Sequence, residues 1–225
     1  MTLTDVAERT RVAIYTSLAG TGAVPSREAL VAELGIPLEE YEAALSELAD
    51  TRNVVLTGGE VEMAHPFATR SFGFSVMGPH TLWWGGCAWD SFAIPNLVTD
   101  SPEVLVATSC PACGSAHSWT VTNERPPSGD QVAHFLTPVA RVWADVTHAC
   151  ENQRIFCSSD CVDDWLTRTG NDRGYTMSLE TLWHLAAHWY DGRLGSPYIR
   201  REPTAAADYF RSVGLSGAFW GLQDE

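Results

Sequence analysis

Cysteines and the acids beside them carry most of the chemistry this sequence could perform. Cys87 and Asp90 stand three apart in Trp83-Trp84-Gly85-Gly86-Cys87-Ala88-Trp89-Asp90. On one helical turn their side chains point the same way, so thiol and carboxylate can share a proton and a ligand. The plain alternative is a small buried hydrophobe beside a first-turn acid that the helix dipole favours. Farther on, Phe156-Cys157-Ser158-Ser159-Asp160-Cys161 puts two more thiols at the start of a helical pattern. The positive potential there favours thiolate, the form that attacks or binds metal. Upstream lies Cys110-Pro111-Ala112-Cys113-Gly114, and Cys-x2-Cys followed at a distance by Cys-x3-Cys is the ligand pattern of a treble-clef zinc knuckle. Cys157 therefore has two competing assignments, one as a reactive thiol and one as a ligand with Cys110, Cys113 and Cys161.

Other candidates say less. His117 and His148 stand near cysteines and could be ligands, while His184 and His188 form an i, i+4 pair between Trp183 and Trp189 and read as buried or interfacial. Cys150, in His148-Ala149-Cys150, has no assignment.

Composition narrows the classes of function. With 45% hydrophobic residues and nine Trp in 225 residues, the chain is built to fold around one large core or two modest ones. No apolar stretch approaches the run of about 20 that a bilayer span needs, and Met1 is not followed by a signal-like sequence, so a cytoplasmic protein with no membrane partner is expected. In a reducing compartment, six cysteines are more often ligands or catalytic thiols than disulfides. The net charge is −14 and all 14 basic residues are Arg, which argues against nucleic-acid partners, because these are held chiefly by a basic face.

The elements that must position these residues can be read in part. Residues 4–18 have helical spacing ending at Gly20-Thr21-Gly22. Ser26 caps a second helix that stops at Gly35, and Pro37 opens a third with Tyr41, Leu45 and Leu48 on one face. Residues 53–64 read as a hairpin around Gly58-Gly59. This is the winged-helix order, but the third helix carries Glu39, Glu40, Glu42, Glu47 and Asp50, and residues 1–65 hold 11 acidic against four basic side chains. Such a surface repels phosphate, so a structural or lid role is expected. Then come a helix from Cys87 to about Leu97, strands near 103–108 and 117–122, a loop over 124–130, one or two strands within 131–147, a helix ending at Gly170, and a helix from Ser178 to Gly192.

The run WWGGCAWDSFAIP resembles the signature of the organomercurial (alkylmercury) lyases. EVLVATSCPACGSAHSWTVT and NQRIFCSSDCVDDWL resemble, in the same order, that family's Ser-x-Cys-Pro strand turn and its Phe-Cys segment leading to a Trp-containing helix. The likeness extends over about residues 4–190 if the helical front end is matched as well. It implies an α+β fold, with a winged-helix-like module of three helices (1–65) followed by a small mixed-sheet, treble-clef-like core (66–225). It implies a lyase that breaks carbon–mercury bonds without an organic cofactor, with Cys87 and Cys157 as paired thiols and Asp90 as proton donor to carbon. Hg(II) is then the product ion, a small organomercurial the ligand, and cellular thiols or a mercuric reductase the acceptor. The sequence departs from the family at Ser158-Ser159-Asp160-Cys161. If Cys110, Cys113, Cys157 and Cys161 close on one zinc or copper ion, Cys157 is no longer free. The chain is then a metal-binding protein of the same superfamily.

Overall fold

The computed structural model describes residues 3–98, 100–201 and 203–223. Three helices open the chain: α1 (Asp5–Thr21), α2 (Arg27–Leu34) and α3 (Leu38–Asp50). Their ends follow the local signals. Ser26 Oγ accepts the Ala29 N–H, and Gly22 and Gly35 end α1 and α2 in the left-handed conformation that glycine adopts without steric cost. Strands β1 (Val55–Thr57) and β2 (Glu60–Ala64) form the expected hairpin, with Gly58 and Gly59 both at positive φ, as the turn that matches strand twist requires.

That hairpin is continuous with the strands that follow it. With β3 (Phe67–Ala68), β4 (Phe74–Met77), β5 (Leu82–Gly85), β6 (Glu103–Ser109) and β7 (Ala116–Thr122) it builds one seven-stranded sheet in the order β1-β2-β3-β5-β4-β6-β7. The expected boundary at residue 65 thus falls inside a sheet. Helix α3 packs on α1 with Tyr41, Ala44, Leu45 and Leu48 buried, and α1 leans on the sheet, where the Trp83 indole N–H reaches the Leu18 and Ala19 carbonyls at 2.9 and 3.1 Å.

Helix α4 (Ala88–Leu97) is almost wholly buried, with apolar side chains on all its faces beside the buried Asp90 and Ser91, as befits a helix enclosed on every side. It packs against the large sheet on one side and α7 (Leu179–Ala187) on the other. A second sheet, β10-β8-β9, is made from β8 (Val132–Phe135), β9 (Gln153–Phe156) and β10 (Tyr175–Ser178). Every pairing in both sheets is antiparallel, where mixed sheets were expected. Segment 131–147 holds one strand, then a 3-10 turn (Val139–Ala144) and the start of a short helix, α5 (Val146–Glu151), that the sequence reading did not anticipate. Helices α6 (Ser159–Thr169) and α8 (Pro203–Ser212) complete the order. Among the described residues, no helix is long and apolar enough to cross a membrane.

Candidate active site

Helix α4 begins where β5 ends, and the Gly85-Gly86 turn between them sets the first group. Cys87 is the N-cap residue of α4, and its Sγ accepts the Asp90 N–H at 3.4 Å. The i, i+3 pair read from the sequence is therefore local and real, with both residues only 2% exposed. A Cβ on Gly86 would sit 2.5 Å from Asp90 Oδ2 and 3.4 Å from His65 Nδ1, so glycine is what lets the carboxylate close over the turn.

Three residues that the sequence reading did not assign complete the surroundings. Register between β3 and β5 pairs Phe67 with Gly85, and Gly86 N–H donates to the Pro66 carbonyl at 3.3 Å, which brings His65 alongside the start of α4. His65 Nδ1 lies 3.0 Å from Asp90 Oδ2. Just beyond α7, Tyr190 donates its hydroxyl to Asp90 Oδ1 at 2.5 Å. The third is Cys150. Asp145 caps α5 by accepting the His148 N–H at 2.9 Å, Thr147 ties the helix to Glu62 of β2 at 3.0 Å, and Cys150 is turned inward, 3% exposed. Its thiol neighbours that of Cys87, and ligand atoms of Cys150, His65 and Asp90 all lie within 4.8 Å of one another.

Electrostatically this is a protonated-thiol site. Burial pushes the Cys87 thiol well above its ordinary value, helped by the neighbouring Cys150 thiol and the Asp90 charge. For Cys150 the neighbouring Cys87 thiol pulls downward, but burial and the charges of Asp90, Glu151 and Glu62 outweigh it, so the net shift is again upward. Tyr190 is held well up by burial and by the same carboxylate, so it donates and does not ionise. Trp143, on the 3-10 turn before α5, closes edge-on over His65 with ring centroids 5.9 Å apart, and Arg52 and Arg200 flank its ring at 5.7 and 5.1 Å. A surface groove of about 440 Å³ at Met77–Pro79, Asp100–Leu105 and Thr120 contains none of these residues.

Cys157, expected to pair with Cys87, stands in the other group of cysteines, and the thiol that neighbours Cys87 is that of Cys150. The reason is the length of β9. Four residues at about 3.3 Å each carry the chain about 13 Å, so Cys150, before the strand, and Cys157, after it, stand at opposite ends. Cys157 joins Cys110, Cys113 and Cys161, the four sulfurs lying within 4.8 Å of one another, with Cys113 and Cys157 at 3.4 Å. Hydrogen bonds with Ser115 lower the Cys113 thiol to about 6, whereas burial, and then the neighbouring Cys113 and Cys110, push Cys157 up to about 12. Of the histidines, His117 lies 3.4 Å from Cys157 Sγ, His148 bonds Asn152 on its own helix, His188 pairs with Asp191 at the surface, and His184 rests edge-on against Trp183.

The sequence profile of the MerB family, described as alkylmercury lyase, matches residues 67–191, more than half of the chain. The matched span contains Cys87, Asp90, Cys150 and Tyr190, and His65 stands two residues before it. The crystal structure of the mercury-bound form of MerB2 superposes with a TM-score of 0.67 over 86% of this chain and 93% of that one, at 15% identity. At that identity the likeness speaks for the fold. No curated protein sequence matches the chain.

Proposed function

Because this chain belongs to the alkylmercury lyase family, we propose that it cleaves carbon–mercury bonds at the Cys87, Cys150 and Asp90 cluster, by thiol capture followed by protonolysis. The observation that carries the reading is that two buried thiols, Cys87 one helical turn from Asp90 and Cys150 within 4.8 Å of it, meet at one buried carboxylate. Hg(II) is soft and takes two thiolates. A carbon leaving mercury needs a proton donor at close range.

The steps balance on the residues present. An alkyl- or arylmercury thiolate exchanges its thiol for Cys150, and the Cys150 proton leaves on the departing thiol. Cys87 then gives its proton to Asp90 as its sulfur binds mercury. Asp90 passes that proton to carbon. The electron pair of the C–Hg bond becomes the C–H bond, the hydrocarbon departs, and Hg(II) remains on the two sulfurs. Two external thiols remove it by exchange, returning a proton to each cysteine. Protonated thiols suit this sequence, because one of them supplies the proton that carbon receives. Tyr190 and His65 hold the two oxygens of Asp90 so that it takes and delivers the proton without turning away.

Entry runs past Trp143. The 3-10 turn Val139–Ala144 buries none of its residues, so it can move aside while α5 keeps Cys150 in place. The test is hydrocarbon release: phenylmercury with excess glutathione should yield benzene over many turnovers. Stoichiometric mercury binding with no benzene would overturn the reading.

A further inference from the structure

The second group of cysteines is built differently, and we infer that Cys110, Cys113, Cys157 and Cys161 hold a structural zinc ion that is separate from the mercury chemistry. Four thiolates around zinc at about 2.3 Å stand about 3.8 Å apart at the corners of a tetrahedron. The four sulfurs here already lie within 4.8 Å of one another, so closing on one ion takes shifts of rotamer size. All four are free thiols.

The backbone is shaped for it. Between β6 and β7 the chain folds into a knuckle in which Gly114 N–H donates to the Cys110 carbonyl and Cys110 N–H to the Ser115 carbonyl, both at 2.9 Å, with Gly114 at φ 76°. The other two ligands flank the start of α6, where Ser158 Oγ caps the helix by accepting the Cys161 N–H at 3.4 Å. Arg168, from the last turn of α6, donates to the Pro111 and Ala112 carbonyls at 2.7 and 2.9 Å, joining helix to knuckle beside a centre that would carry two negative charges. His117 Nε2, its ring stacked on Trp119 with centroids 5.5 Å apart, is placed to donate to the Cys157 sulfur at 3.4 Å. Partners of this kind orient ligands in metal sites. Behind the sulfurs, Phe156, Val162, Trp165 and Leu166 form a satellite core with Cys110.

Four sulfurs and no open position describe a structural site. Tetrahedral tetrathiolate geometry selects zinc, or iron, over the hard divalent cations. The ion joins the β6–β7 knuckle of the large sheet to β9 and α6, and β9 runs back to the helix that carries Cys150. Zinc at one end of β9 thus fixes the strand whose other end delivers a thiol to Cys87.

The experiment is elemental analysis of the full-length protein, purified under reducing conditions and also reconstituted after chelation with zinc or cobalt. About one zinc per chain is expected, with an X-ray absorption shell of four sulfurs near 2.3 Å and, for cobalt, the intense visible bands of a tetrahedral thiolate site. Cys113→Ser and Cys161→Ser should lose the metal and lower Tm, while a Cys87→Ser, Cys150→Ser double variant keeps the metal. Wild-type protein that takes up neither metal after reduction would overturn the inference, as would stoichiometric iron instead of zinc. So would zinc that is lost from the double variant and retained by Cys113→Ser. Each outcome can be read whether or not hydrocarbon is released.

Discussion

Two groups of cysteines stand at the two ends of β9, and they are opposites in almost every physical respect. At one end Cys87 and Cys150 are buried, two in number, and meet a carboxylate, a tyrosine hydroxyl and an imidazole. At the other, four sulfurs converge with no carboxylate among them, and Cys113 is exposed. Two thiols leave a soft ion with open coordination positions, where a carbon can stay attached until it is protonated. Four close the sphere. The same residue type thus supports bond cleavage or scaffolding according to how many sulfurs gather and whether a proton donor sits beside them.

The largest expected effect sharpens that contrast. Cys150→Ser or Cys87→Ser should abolish benzene release from phenylmercury, whereas Cys157→Ser should retain turnover in its folded fraction, as judged by gas chromatography of the headspace and circular dichroism of the same samples. Equal loss in all three would break the division. Next, Asp90→Asn should lower the protonolytic turnover by about 10²–10⁴, the range for removing a general acid. Mass spectrometry should still find one organomercurial per chain, because both thiols remain.

Smaller again is Tyr190→Phe. A hydrogen bond to a charged group is worth about 1.5–3 kcal/mol, so kcat should fall by about one to two orders of magnitude. Zinc content should be unchanged, since Tyr190 touches the first group alone. An unchanged kcat would mean that Asp90 is positioned without it. The smallest effect is on stability against pH. Burial raises both Cys87 and Cys150 above the ordinary 9.0, so the folded state keeps protons that the unfolded chain releases. Their contribution is fully present below that pH and is lost as pH rises past it toward the folded-state values. Thermal melts between neutral and alkaline pH should fall at the high end, and less steeply in Cys87→Ala. An identical slope would remove the thiols from the linkage.

How far the sequence discloses this arrangement depends on how local each feature is. Ser26, Gly35, Pro37 and the Gly58-Gly59 turn marked their elements because caps and turns act within a few residues. Cys87 and Asp90 were legible for the same reason, one helical turn being their whole relationship. The Cys-x2-Cys and Cys-x3-Cys spacings likewise gave the four-sulfur set. His65 and Tyr190 were not legible, because sheet register and the packing of α7 on α4 bring them to Asp90 from far along the chain. Cys150 had a faint signal: Asp145 is a helix cap, and Val146, Ala149 and Cys150 fall at i, i+3 and i+4. Six residues are too few for periodicity to announce a helix. The Phe-Cys neighbourhood of Cys157 says nothing of which end of a strand a thiol occupies. The length of β9 does, with Cys150 before the strand and Cys157 after it.

The central claim is that mercury ends on Cys87 and Cys150. It is tested most directly by an anomalous difference map from crystals of the protein reacted once with phenylmercury in the absence of external thiol. The account predicts a single strong mercury peak between the Cys87 and Cys150 sulfurs, beside Asp90, with the four-sulfur group still holding its own ion. A peak on Cys157, with Cys87 and Cys150 bare, would contradict it.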